Sequence, residues 1–240
     1  MSNPTSEALS ASEQEAHGKS GMGSLRRYAY GKIEDLLNSG QLRPGQLVSQ
    51  RELVEATGAT LGSVREAIPR FEAEGLLVTV PKKGLMVPSL DVAFVREAYQ
   101  LRRMIELSAL REAARRIPRE QIEEWRVWHE AKEIAVQESA GGIARSLIDQ
   151  VQRYDWAMHA EIVAALGNRL VDNVYRVTAI KIRMAVQSRL QVTGDNAARI
   201  LKEHRAILDP LAEGHVEAAT RALERHIDNS MTIALGGTVT

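Results

Sequence analysis

Residues 49–68, SQRELVEATGATLGSVREAI, and residues 75–87, GLLVTVPKKGLMV, decide how the first third of this chain folds. Pro44-Gly45-Gln46 is a turn signal just ahead of them. Ser49 followed by Glu52 fits a capping box, so a helix starts there with Leu53 and Val54 on its apolar side. Thr57-Gly58-Ala59 stops it. Thr60 can cap a second helix, along which Val64, Ala67, Ile68 and Phe71 recur at helical spacing on one face. Ser63, Arg65 and Glu66 fall elsewhere on its surface. Gly75 ends that helix, Leu76 to Val80 is strand-like, Lys82-Lys83-Gly84 turns, and Leu85-Met86-Val87 returns as a strand. Two short helices, a tight turn and a basic hairpin are the outline of a winged helix–turn–helix, which docks on duplex DNA. Arg51, Thr60, Ser63 and Arg65 are the expected contacts from the helices, and Lys82, Lys83 and Gly84 those from the wing.

The same stretch resembles the GntR family of bacterial transcription regulators. The residues that carry the resemblance are Tyr30, Ile33, Gly40 to Gly45, Arg51-Glu52-Leu53, Val64 to Ile68, Glu74 to Leu77 and Lys83 to Val87. One departure stands out. The recognition helix begins Thr60-Leu61-Gly62-Ser63, so Leu61 takes the place of a base-reading arginine. That bears on which operator is read, not on whether DNA is bound. A leucine offers apolar contact only, such as to a thymine methyl.

Composition sets outer bounds. A chain of 240 residues, 44% hydrophobic and 26% charged, has an ordinary globular balance and room for two small domains. No apolar run approaches the length of a membrane-spanning helix. The first residues lack the layout of a secretion signal. The absence of cysteine excludes disulfides and thiolate metal sites and fits a cytoplasmic protein. Thirty-one basic and 31 acidic residues cancel, so distribution matters more than the sum. Arg26, Arg27, Lys32, Arg43, Arg51, Arg65, Arg70, Lys82 and Lys83 give the DNA-binding part a modest basic face.

Residues 1–22 are rich in Ser, Glu, Ala and Gly without periodicity and read as a disordered tail. The winged helix–turn–helix occupies 23–88. From 89 to 240 everything reads as helix, punctuated at Pro118, Gly141-Gly142, Gly167-Asn168, Thr193-Gly194-Asp195 and Glu213-Gly214. The expected fold is mainly α: the winged head followed by an antiparallel bundle of six or seven helices.

Within the bundle, Asp155 and His159 are four apart and leave one face of a helix. His204 and His226 lie on later helices. Three imidazoles and a carboxylate suit a borderline divalent ion: zinc first, with nickel, manganese or iron as alternatives. Spacing alone leaves open that His204 and His226 are partly exposed helix residues. This half is similar to the ligand-sensing (FCD) domain of the FadR subfamily. The likeness rests on Arg102 and Glu106, on Asp155-Trp156-Ala157-Met158-His159 with Asn168, and on His204 and His226. That resemblance implies a metal held by Asp155, His159, His204 and His226. Such an ion keeps open positions that a carboxylate effector can fill. Arg102 is the candidate cation to grip the same carboxylate. Its alternative role is an ion pair with Glu106 one turn on. Arg183, or Arg189, could serve instead, and Asn229, near His226, is expected to face the same cavity. His17, His129 and His215 read as solvated or surface histidines, and Trp125 and Trp128 as core or dimer packing.

Three functions fit these observations. The first is a ligand-controlled transcription regulator, a dimeric repressor released from its operator by a small organic acid. The second is a metal-dependent enzyme with a helical active site, since such an ion can activate water. The third is a metal-ion sensor in which the ion itself is the signal.

Overall fold

The computed structural model describes residues 23–139, 142–189 and 194–239, so the expected tail over 1–22 lies outside the described residues. Contacts divide the chain into two units, Met1–Ser89 and Leu90–Thr240.

In the first unit a helix, α1, covers 23–38. It is followed by β1 (Leu47–Val48), α2 (Gln50–Thr57), α3 (Leu61–Ala73), β2 (Val78–Val80) and β3 (Gly84–Met86). The local chemistry read from the sequence sets these boundaries. Ser49 Oγ accepts from the Glu52 amide, and the Glu52 carboxylate accepts from the Ser49 amide at 2.6 Å, closing the capping box. Gly58 ends α2 at φ 67°, a left-handed cap that glycine adopts freely. Thr60 Oγ1 caps α3 by accepting from the Ser63 amide. Val64, Ala67, Ile68 and Phe71 are all buried, and Tyr30 of α1 stacks on Phe71 with ring centroids 4.3 Å apart.

Two details differ from the sequence reading. A third strand, β1, pairs with β3 and gives an antiparallel sheet in the order β1-β3-β2. And the run from Leu76 becomes a strand only at Val78. The Leu76 and Leu77 amides donate to the Phe71 carbonyl, at 2.8 and 3.3 Å, sealing the end of α3 while both side chains enter the core. Gly84 is where the wing meets β1. Its φ is 103°, and a Cβ there would lie 3.0 Å from the Val48 carbonyl oxygen. We expect Gly84→Ala to cost about 1–3 kcal/mol in the stability of this unit. A urea titration followed by exchange of the β3 amides would read it, and an unchanged midpoint would refute it.

In the second unit the described residues form six helices. They are α4 (Val92–Arg116), α5 (Arg119–Gln137), α6 (Arg145–Ala164), α7 (Arg169–Arg189), α8 (Gly194–Ala212) and α9 (Val216–Ala234). Asp91 caps α4 through its Oδ1, which accepts from the Phe94 amide at 2.7 Å. Asn168 accepts from the Leu170 amide at the head of α7. Helix α4 packs against α6, α7 and α9, and α8 packs against α5, α6 and α9. Leu101 and Ile105, four apart on α4, are only half-buried. The deepest stripe runs through Tyr99, Arg102, Glu106, Leu110 and Ala113. A charged pair can lie there because each partner satisfies the other. No described helix is long and apolar enough to cross a membrane.

Candidate metal centre

Asp155, His159, His204 and His226 meet inside the second unit. Asp155 and His159 come from consecutive turns of α6, His204 from the middle of α8 and His226 from the middle of α9. One ligand atom from each lies within 4.8 Å of all the others. The three histidines are at most 1% exposed, so the reading that left His204 and His226 partly exposed is corrected: both are core residues. The Nε2 atoms of His159, His204 and His226 lie 3.2, 3.0 and 3.9 Å from Asp155 Oδ1. None of these approaches has hydrogen-bond geometry, so four polar atoms converge in the interior without satisfying one another. Burying unpaired polar atoms is costly. A cation at their midpoint would satisfy all four, so the donor set fits a divalent ion.

The outer partners favour the same arrangement. His159 Nδ1 lies 2.7 Å from Glu106 Oε2, His226 Nδ1 lies 2.8 Å from Glu203 Oε2, and His204 Nδ1 lies 2.9 Å from His129 Nε2. With Nδ1 of His204 and His226 hydrogen-bonded outward, a neutral ring turns its Nε2 lone pair toward the cluster, whereas His159 Nδ1 meets Glu106 as a close ion-pair contact without hydrogen-bond geometry. Burial pushes the His204 pKa down and, reinforced by His204 and His159, holds that of His226 well below the usual range. Burial pulls most strongly on His159, but the Glu106 charge and the facing Asp155 carboxylate together outweigh it and raise that pKa. Asp155 is held well below the usual carboxylate range despite its burial, because His159 and His204 face it.

Glu106 ties the cluster to α4. Its Oε1 accepts from Arg102 Nε at 2.6 Å and from the Tyr175 hydroxyl at 2.7 Å. Burial alone would raise its pKa, yet Arg102 and His159 bring it down to about 2. Arg102 thus forms the ion pair that was its alternative role, and its Nη2 remains buried without a hydrogen-bond partner. Beside it lies a cavity of about 50 Å³, lined among others by Arg102, Asp155, Arg183, Arg199 and Ser230. The Arg102 and Arg183 guanidiniums sit 4.9 and 4.8 Å from the Trp156 ring centroid.

Several positions depart from the sequence reading. Asn229 does not line the cavity; it donates to Glu203 Oε1 at 2.7 Å and so steadies the carboxylate behind His226. Ser230 occupies the place expected of it. The side chain of Arg189 lies outside the described residues. His129 is not a surface histidine but 1% exposed, capped edge-on by Trp128 and Tyr154. Trp125 is buried in the core as expected, and His215 is exposed. The roles of Arg199 and Glu203 were missed. A signal was present: Arg199-x-x-x-Glu203 on α8 repeats the spacing of Arg102-x-x-x-Glu106 on α4.

On the winged unit, Arg51, Thr60, Arg65, Lys82 and Lys83 are exposed. Arg65 is steadied by Gln50, whose Oε1 accepts from Arg65 Nε at 2.9 Å. Lys82 takes a positive φ of 64° at the wing tip. Ser63, expected on the surface, is 6% exposed because its hydroxyl donates back to the Thr60 carbonyl at 2.9 Å. It builds the cap and leaves the exposed start of α3 to Thr60 and Leu61.

Residues 97–229 match the family described as the FCD domain, and residues 25–87 match the bacterial regulatory proteins of the gntR family. The chain belongs to the GntR-family transcriptional regulators that carry an FCD domain. It is a regulator with a DNA-binding domain and a ligand-sensing domain, not an enzyme. It is 24% identical over 202 residues to the uncharacterized HTH-type transcriptional regulator YdhC of Bacillus subtilis (strain 168), covering 83% of this chain and 86% of that one. It is 28% identical over 207 residues to an HTH-type transcriptional regulator in an unstable DNA locus of Streptomyces ambofaciens, covering 84% and 81%. Among solved structures, E. coli McbR/YncC superposes with a TM-score of 0.75 at 16% identity, covering 88% of this chain and 97% of that one. A putative GntR transcriptional regulator from Rhodococcus sp. RHA1 superposes with a TM-score of 0.66 at 20% identity, covering 90% and 100%. At these identities the structures speak for the fold alone.

Proposed function

We propose that this regulator is a dimeric repressor released from its operator by a small carboxylic acid held between a divalent ion and Arg102. Residues 23–88 would read DNA in the cytoplasm, and residues 89–240 would hold the ion and the effector. The observation that carries the reading is Arg102 Nη2, a buried donor without a partner beside a cavity that also reaches Asp155. A guanidinium fork suits a carboxylate, and so does an ion with open positions. Charge supports an anion. With neutral rings, the carboxylates of Asp155, Glu106 and Glu203 outnumber the guanidiniums of Arg102 and Arg199 by one. A divalent ion reverses that sign, and Arg183 adds a further positive charge at the cavity wall. The small cavity favours an acid of few heavy atoms.

The effector would draw α4, which carries Arg102, toward the metal ligands of α6, α8 and α9. Helix α4 follows the short Pro88–Asp91 link from the head, so its movement can act on DNA binding. Such a coupling of about 1–3 kcal/mol would weaken operator binding roughly 5- to 150-fold. The test is operator binding with and without a panel of small organic acids, on metal-loaded and chelated protein. Release by an acid only in the loaded protein supports the reading. Release that follows metal concentration with no acid would make the ion itself the signal. Release of chelated protein by the acid would reduce the metal to a structural role.

On DNA, Arg51 and Arg65 are the proposed base or backbone contacts, with Thr60 at the cap and Lys82, Lys83 and Gly84 at the wing. Losing Arg65 to alanine should cost about 1–3 kcal/mol of operator affinity and relax selectivity, whereas Lys82→Ala or Lys83→Ala should weaken all sequences alike. Unchanged affinity and selectivity in Arg65→Ala would remove α3 from the role of recognition helix. One short recognition helix covers only a few base pairs, so a homodimer on an inverted repeat is expected. Light scattering with footprinting checks it, and a monomer on a single half-site would count against it.

A further inference from the structure

We propose that His129 is a positioning residue for the metal centre: it fixes the tautomer of His204 and so decides whether that ring can bind an ion. Helix α5 supplies no ligand to the cluster, yet it brings His129 against it. His129 Nδ1 lies 2.7 Å from the Trp125 carbonyl oxygen. A carbonyl only accepts, so this nitrogen carries a hydrogen. A second ring hydrogen would make a cation beneath Trp128 and Tyr154, with no carboxylate in hydrogen-bond contact among the described residues, and burying such a charge is costly. His129 Nε2 therefore holds a lone pair, 2.9 Å from His204 Nδ1. The hydrogen between the two rings must come from His204. A neutral His204 then has no hydrogen left for Nε2, which keeps its lone pair and lies 3.0 Å from Asp155 Oδ1.

Two electron-rich atoms at that distance repel each other unless a cation lies near both. The relay from Trp125 through His129 to His204 thus makes the cluster a metal ligand set instead of a closed hydrogen-bond pair. His159 and His226 are oriented by carboxylates, Glu106 and Glu203. Among the three ligand rings, His204 is the one oriented by another imidazole. Without the acceptor at His129, His204 is free to move its hydrogen to Nε2 and donate it to Asp155, which closes its place in the site.

This inference rests on the cluster holding a divalent ion, and the experiment separates the two. Zinc affinity is measured on the full chain by competition with a chromophoric chelator, for the wild type, His129→Leu and His129→Gln. The leucine variant should bind zinc about 10- to 100-fold more weakly. The glutamine variant, whose side-chain oxygen can accept from His204 Nδ1, should recover most of that loss. In zinc-loaded wild type, nitrogen NMR should show a scalar coupling across the hydrogen bond from His204 Nδ1 to His129 Nε2. That readout stands even if the leucine variant does not fold. Wild-type protein that binds no zinc would overturn the metal reading and this inference with it. Wild type that binds zinc while His129→Leu binds it equally well, or that lacks the coupling, would overturn the role of His129 alone.

Discussion

Chelation is expected to destabilise the helical unit by about 2.7–4.1 kcal/mol when the free ion had been held at 100 to 1,000 times its dissociation constant. For a unit of this size that is a fall in melting temperature of roughly 5–15 °C. The stabilisation arises because the folded state presents four converging donors and the unfolded chain does not. Asp155 Oδ1 and the Nε2 atoms of His159, His204 and His226 are brought together from three helices and are otherwise unsatisfied. Asp155→Ala and His204→Ala should each lower the stability of the loaded protein and should erase the difference between loaded and chelated samples. Differential scanning calorimetry with defined zinc concentrations reads both. A full chelator-dependent shift that survives in Asp155→Ala would place the ion elsewhere. Operator binding by the winged unit should be largely preserved in these variants.

The sequence made the winged unit legible because its signals are local. Ser49 with Glu52, Gly58, and Thr60 ahead of Val64, Ala67, Ile68 and Phe71 each act within a few residues, and each sets the boundary it announces. Strand β1 was not legible. Leu47 and Val48 become a strand only because β3 arrives beside them from some 40 residues further on. The four metal donors were legible through family resemblance and not through spacing, since only Asp155 and His159 are neighbours in sequence. What lay beyond reach was the set of groups behind them. His129 read as a surface residue because nothing in Trp125-Arg126-Val127-Trp128-His129 tells which side of α5 meets α8. Arg102 was read as choosing between Glu106 and a ligand. In the folded protein its Nε takes Glu106 while its Nη2 remains available, because a guanidinium has donors on more than one edge. Ser63 failed for the opposite reason: helical periodicity puts it outside the apolar stripe, but a cap folds back on its own first turn.

Replacing Glu106 by alanine should be the most damaging single substitution in the bundle, at about 3–5 kcal/mol. Glu106 is 0% exposed and serves three partners at once: Arg102, Tyr175 and His159. Its loss strands a guanidinium that is itself 2% exposed, together with a phenol and an imidazole nitrogen. Glu106→Gln keeps the volume and one acceptor but removes the charge that balances Arg102, so it should cost less than alanine and more than a surface change. The decisive comparison is a double-mutant cycle. Arg102→Met removes the stranded cation, so Glu106→Gln combined with Arg102→Met should be less destabilised than the two single losses added together. Chelated protein is the right sample, because it separates the ion pair from any change in metal affinity. A Glu106→Ala variant within about 1 kcal/mol of wild type would mean that the pair contributes little to folding. Additivity in the cycle would mean that Arg102 is held by other groups. Either result would also weaken the case that an effector gripping Arg102 is felt at His159, since Glu106 is the residue that touches both.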